Sequence, residues 1–179
     1  MILSIPVFGQ NRVNPHFAQF FELTPDETNR LSAAVAQAAQ RMEDLADLHA
    51  VGNLDAAAGK LTVNVTAFPA EGGIVYNELL GQFQTVLGPE RFAYFNIFFG
   101  DTFDQSFDGF GLNQVRYEVD LTPTVTPQGQ TNYSYTRSFV TGDAKGRGQG
   151  GGQLPLPLLI KYNPTLKRFI PPSLVEAQK

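Results

Sequence analysis

The sequence predicts an α+β protein in which about three helices in the first half pack on an antiparallel sheet formed mainly by the second half. In residues 24–49 and 74–107 apolar side chains recur every three or four positions, which is typical of one helix face. From residue 112 they recur every two positions, which is typical of a strand, and helices grouped before strands favour α+β. The expected parts are an extended N-terminal arm (1–22), a single domain (23–162) and an extended, proline-containing C-terminal tail (163–179).

The composition indicates a soluble domain that can fold without a disulfide or a bound metal ion. A chain of 179 residues with fifteen Phe can bury a sizeable core, and the absence of Cys excludes disulfides, thiolate nucleophiles and Cys-based zinc sites. The net charge of −4 and the scattered basic residues argue against nucleic acid as a partner. No apolar run approaches the ~20 residues that cross a bilayer. The compartment stays open between bacterial cell envelope and cytoplasm, and the apolar N-terminus lacks the basic residues of a signal peptide.

The N-terminal arm combines helix breakers with apolar residues. Pro6, Gly9 and Pro15 oppose a helix there, while several large apolar side chains require burial. We therefore expect the arm to lie on its own domain or on a neighbouring molecule.

The clearest local signal is a helix start at residues 24–27. Thr24 can cap the helix, Pro25 suits the first helical position, and Glu27 completes a reciprocal capping box. The apolar spacing behind it predicts a helix to about His49, which Gly52 and the following asparagine end.

Two further helices are predicted before residue 110. One spans about 74–86, and Gly88-Pro89-Glu90 begins the other. Gly109 is its expected stop. A stripe of phenylalanines at helical spacing marks this last helix: Phe92, Phe95, Phe99, Phe103 and Phe107.

Alternating apolar and polar residues predict three strands, at 61–67, 115–121 and 133–139. Pro127-Gln128-Gly129 predicts the turn between the last two. The glycine-rich segment 142–153 is expected to be flexible, and 156–162 is expected to be an edge strand because Pro155 and Pro157 favour a sheet edge.

Few residues point to chemistry. His16 and His49 have no sequence feature that brings them together. Asp101, Asp104 and Asp108 lie near one another on the predicted third helix, where they form either a cation site or a solvated helix face. The P-loop and the hydrolase nucleophile elbow are both missing from the sequence. We predict no catalytic residue, no metal site and no cofactor. Between an enzyme and a protein without catalytic activity, the sequence favours the second.

Two helix starts carry a family resemblance. Leu23-Thr24-Pro25-Asp26-Glu27 and Leu87-Gly88-Pro89-Glu90-Arg91-Phe92 resemble the helix openings of small bacterial envelope proteins of the LTxxQ (Spy/CpxP-like) kind. The resemblance covers about ten residues. It implies an all-helical fold and a periplasmic chaperone or stress-sensing role. Neither copy has Gln at the fifth position, only the first has Thr, and the predicted strands depart from that fold.

The leading functional hypothesis is a non-enzymatic structural or protein-interaction subunit, an oligomer or part of a larger bacterial assembly. Its partner-binding residues are expected in the arm and the glycine-rich loop: Ile5, Val7, Phe8, Phe17, Phe20, Phe21 and Arg147. The alternative is a small-molecule binding domain or hydrolytic enzyme with a pocket between the Phe-rich helix and the sheet. Its polar groups would come from Tyr117, Tyr133, Tyr135 and Arg137.

Overall fold

The α+β class is confirmed by the computed structural model, which describes residues 7–9, 11–141 and 147–176. These residues form two compact units, a helical unit and a sheet unit. The helical unit comprises 1–45 and 68–112, and the sheet unit comprises 46–67 and 113–179.

The helical unit is built around an aromatic core. Phe17, Phe83, Phe95, Phe99 and Phe103 are fully buried, and their rings meet mainly edge to face. Its elements are β1 (Phe8–Gly9), β2 (Arg12–Val13), α1 (Pro15–Phe20), α2 (Pro25–Leu48, residues 25–45 in this unit), α3 (Pro69–Asp104) and α4 (Ser106–Phe110).

The predicted capping box at the start of α2 is confirmed. The Thr24 backbone N–H donates to Glu27 Oε2 over 2.8 Å, and the Glu27 backbone N–H donates to Thr24 Oγ1 over 3.2 Å. These two bonds satisfy backbone donors that a helix end otherwise leaves unpaired. The helix therefore begins where the sequence predicts and ends one residue before His49.

The second and third predicted helices are the two arms of α3, which meet at a kink. Gly88 has φ 70° and ψ 172°, a conformation that glycine adopts without a Cβ penalty, and Pro89 supplies no N–H. The predicted stop at Gly109 is wrong, because α3 ends at Asp104. The residues from Phe107 to Phe110 have φ between 50° and 66°, so they turn with a left-handed backbone.

The sheet unit contains one five-stranded antiparallel sheet in the order β3-β4-β5-β6-β7. The three predicted strands are confirmed as β4, β5 and β6, and β3 and β7 were not predicted. Its elements are β3 (Ala50–Asp55), β4 (Lys60–Val65), β5 (Asn113–Val125), β6 (Thr131–Thr141), β7 (Arg147–Leu154), α5 (Leu156–Tyr162), a 3-10 helix (Pro164–Arg168) and α6 (Pro172–Glu176). The predicted turn between β5 and β6 is confirmed by the Gly129 N–H, which donates to the Thr126 carbonyl over 2.9 Å.

The prediction of extended terminal arms is wrong for their described residues, which include short helices. Asn14 caps α1 by accepting from the His16 N–H over 2.9 Å, so Pro15 starts a helix instead of preventing one. The C-terminal tail was expected to be extended and without helices, but its described residues include the 3-10 helix and α6. Leu166 and Ile170 of this tail are buried.

Two further local predictions are wrong. Residues 156–162 form helix α5 and not an edge strand, because prolines fit the first turn of a helix, where N–H groups lack partners anyway. Within 142–153, residues 147–153 belong to strand β7, which pairs with β6 from Arg147 to Leu154; residues 142–146 lie outside the described residues.

Candidate binding surfaces

The predicted arm residues divide between the core and the surface of the helical unit. Val7, Phe17 and Phe21 are buried, and Phe8 is half-buried with its ring 5.6 Å from that of Phe103. Ile5 lies outside the described residues. Most of the described apolar surface of the arm therefore packs in its own unit.

Phe20 differs from these residues because it belongs to an exposed cluster. Its side chain is 41% exposed, and its ring centroid lies 6.1 Å from that of Phe98. Tyr94 stacks on Phe98 at 6.4 Å, and Ile97, one helical turn after Tyr94, is 72% exposed. We call Phe20, Tyr94, Ile97 and Phe98 the aromatic patch.

The second arm of α3 creates this patch because it is apolar on two faces. Phe95 and Phe99 point into the core, while Tyr94, Ile97 and Phe98 recur at spacings of three and four on the outer face. A helix with only one neighbour normally carries polar residues on its outer face. The second stripe is the sequence signal for this surface, and it was not among the predicted features.

Acidic residues lie close in the chain to members of the aromatic patch. Glu22 and Asp101 are exposed near its members in the chain. The residues of the helical unit include eleven Asp and Glu against four Arg and no Lys, a net charge of −7. The patch therefore offers an apolar centre on a negatively charged unit.

Arg91, just after the kink of α3, contacts α2, the end of α1 and the first arm of α3. Its guanidinium donates to the carbonyls of Val86 over 3.0 Å and Phe21 over 3.3 Å, and its Nη2 lies 2.5 Å from Glu27 Oε1. The hydrogen bond from Arg91, with help from the Thr24 N–H, lowers the pKa of Glu27 to about 2. This ion pair holds the start of α2 against the kink of α3.

The four tyrosine and arginine residues predicted for a pocket lie on one face of the sheet. Tyr117 pairs with Arg137, and Tyr133 pairs with Leu154. Tyr117 and Tyr133 are buried, whereas Tyr135 and Arg137 are half-buried. The Arg137 guanidinium lies 5.9 Å from the Tyr117 ring centroid, within the range of a cation–π contact.

Tyr135 and Arg137 line a groove of about 440 Å³ that runs along β7. Phe139, Tyr162 and Asn163 form other parts of its wall, and glycines of β7 form its floor. We call this feature the β7 groove. All of its lining residues belong to the sheet unit.

The three aspartates near the end of α3 do not share a helix face. Asp104 accepts a hydrogen bond from the Tyr76 hydroxyl over 2.9 Å, and Asp108 lies in the left-handed turn. Burial and, secondarily, this hydrogen bond raise the pKa of Tyr76 to about 12. Among the residues that the structure describes, no group of three or more His, Asp and Glu side chains could hold a metal ion.

A second cleft, of about 580 Å³, lies between α2 and the first arm of α3. Arg41 and Glu78 form an ion pair at its wall, and Arg30 adds a further cation. Both members of the pair are solvent-exposed, so the interaction contributes little to stability.

Comparison with known proteins gives no match to a family model, to a curated protein or to a solved structure. The resemblance to LTxxQ helix openings stays a prediction. Among the described helices, none combines the length and the apolar character needed to cross a membrane.

Proposed function

We propose that the protein is a non-enzymatic interaction subunit that binds another protein through the aromatic patch. The single observation that carries this proposal is the contiguous exposure of Phe20, Tyr94, Ile97 and Phe98. Contiguous apolar surface rimmed by polar residues is typical of interaction sites, and aromatic residues supply much of the binding energy there. Of the partner-binding residues predicted in the N-terminal arm, Phe20 is the one that belongs to this proposed contact surface.

Charge indicates the chemistry of the partner. The helical unit carries a net charge of −7, so two copies that faced each other through the patch would repel, which opposes self-association. A protein with an apolar centre and a basic rim complements both properties of this surface. Its binding should weaken as salt rises, because the contacts at the rim remain solvent-exposed.

The test compares two isoleucines on α3. Ile97 lies in the aromatic patch, and Ile74, which is 55% exposed, lies on the first arm outside it. A photo-crosslinking residue at position 97 should capture a protein that the same residue at position 74 does not. That protein, once purified, should bind Ile97→Asp at least tenfold more weakly than Ile74→Asp, consistent with the ~1.5–3 kcal/mol gained by burying an isoleucine.

Two results would count against this function. One is a partner whose affinity falls equally in both variants. The other is a purified partner that binds both variants as tightly as it binds the wild type. The alternative of a small-molecule binding domain or hydrolytic enzyme, and an origin in the bacterial envelope, stay predictions.

A further inference from the structure

The sheet unit presents a second surface, the outer edge of β7. Within the described residues this strand forms its ladder along one side, to β6. Gly150, Gly151 and Gly152 are exposed, and the surface of a glycine is backbone surface. Natural edge strands usually carry a lysine, a proline or a bulge that discourages pairing, but residues 148–153 are only glycine and glutamine. The peptide groups of β7 are therefore accessible to an additional strand.

One face of β7 lacks side chains over most of its length. Gly148, Gly150 and Gly152 alternate along the strand and so share the face of the β7 groove, opposite Phe139, Arg137 and Tyr135 respectively.

The three glycines differ in what lies over them. A Cβ at Gly148 would overlap the Phe139 ring, which covers that glycine from the neighbouring strand. A Cβ at Gly150 or Gly152 would meet no described atom within 4 Å. Aromatic side chains cover glycines across strands, and two of these positions still have room for such a cover.

The described chain segments that contribute to the groove are basic. Residues 137–141 and 147–168 include five Lys and Arg and no Asp or Glu. Arg147 begins β7 and is exposed, and Lys161 is exposed on α5 beside Tyr162 of the groove wall. An occupant with acidic residues is therefore favoured electrostatically.

We infer that β7 binds an extended, acidic peptide segment of another protein, which adds to the sheet as a sixth strand. The peptide backbone pairs with the open edge of β7. Its large aromatic or branched side chains, at alternate positions, lie over Gly150 in the β7 groove and over Gly152, the next glycine on the same face of the strand. A second copy of β7 fits this site less well, because it would add only glycines on the groove face and bring a further Arg147 to a basic edge. The mode is β-strand addition, in which the backbone supplies affinity and the alternate side chains supply specificity.

The probe is a fluorescent ten-residue peptide with alternating phenylalanine and threonine between two aspartates at each end. Binding to the full chain is measured by fluorescence anisotropy. Gly150→Val fills the groove at a position where a Cβ has room, and valine favours strand structure, so the sheet should keep its stability. Gln153→Val is the matched control, because it makes a similar change on the opposite face of the same strand at a residue that does not line the groove.

We expect Gly150→Val to weaken binding at least tenfold and Gln153→Val to change it less than twofold. Replacing the phenylalanines of the probe by glycine should also weaken binding at least tenfold. Thermal unfolding of both variants checks that the sheet is intact.

Four results would overturn the inference. The first is equal binding by the two variants. The second is equal binding by the glycine-substituted probe, and the third is comparable binding of a single-stranded oligonucleotide, because either would mean that charge alone attracts the ligand. The fourth is a concentration-dependent dimer that Gly150→Val dissociates, which would make a second copy the occupant of the edge.

Discussion

Replacing Arg91 by methionine should destabilise the helical unit by about 3–5 kcal/mol. The ion pair with Glu27 contributes about 1.5–2 kcal/mol of this value, because charge-assisted hydrogen bonds exceed neutral ones and because the pair is only partly exposed. The bonds to the carbonyls of Phe21, Val86 and Leu87 contribute about 0.5–1 kcal/mol each. Methionine keeps a similar length and helix propensity, so the loss reports on the guanidinium.

The free energy of unfolding is measured by urea denaturation at pH 7, followed by circular dichroism at 222 nm. Arg91→Lys should lose about 1–2 kcal/mol, because lysine keeps the charge but cannot reach several acceptors at once. Arg116→Met is the matched control: its pair with Glu118 has two exposed side chains, so its loss should stay below about 0.5 kcal/mol. A loss below about 1 kcal/mol in Arg91→Met, or one equal to that of the control, would refute this account of the kink.

Three other predictions test the helical unit. The pKa of Glu27 is lowered from 4.5 to about 2, so the contribution of its carboxylate to the free energy of unfolding is complete above pH 4.5 and is lost as the pH falls through 2. When unfolding is measured at decreasing pH, the wild type should lose about 2 kcal/mol over this range, a value already reduced for solvent screening, and Glu27→Gln should not show this loss. Gly72→Ala should lower the melting temperature markedly, because its Cβ would overlap the Phe110 carbonyl oxygen, whereas Gly73→Ala, which has open space, should raise it; equal shifts would contradict this packing. Phe95→Ala should cost about 3–5 kcal/mol in urea denaturation, and a loss below 1 kcal/mol would show that this ring does not anchor the core.

The sequence predicted best the elements whose signals are local. The capping box at Thr24 and Glu27, the break at Gly88 and the alternation of β4 to β6 all depend on residues close together in the chain. The strand β7 was not predicted because a run of glycines shows no alternation of apolar and polar residues. What makes these residues a strand is their pairing with β6. The helix α5 was predicted as a strand because its prolines were interpreted as edge residues and not as residues of a first helical turn.

The candidate surfaces were predicted only in part, for a related reason. Phe20, Tyr135 and Arg137 were selected from the sequence, but which apolar residues of the arm stay exposed depends on the tertiary packing. Phe17 and Phe20 are three positions apart in one short helix, yet the first is fully buried and the second is in the aromatic patch. The left-handed turn after Asp104 likewise depends on its packing, since Phe107 and Phe110 adopt φ values that few such residues adopt alone.

The hairpin of β3 and β4 is inserted between the two chain segments of the helical unit, which affects how the protein is synthesised. The edge of β4 that pairs with β5 has no complete partner until residues 115–120 leave the ribosome, about 55 residues after Val65. At ~5–20 residues per second this interval is about 3–11 s. The helical unit likewise cannot close before residue 112 emerges. We expect protease resistance of ribosome-bound chains to appear for the helical segments first and for the sheet only after β6 has emerged, and resistance of the hairpin at residue 70 would contradict this order.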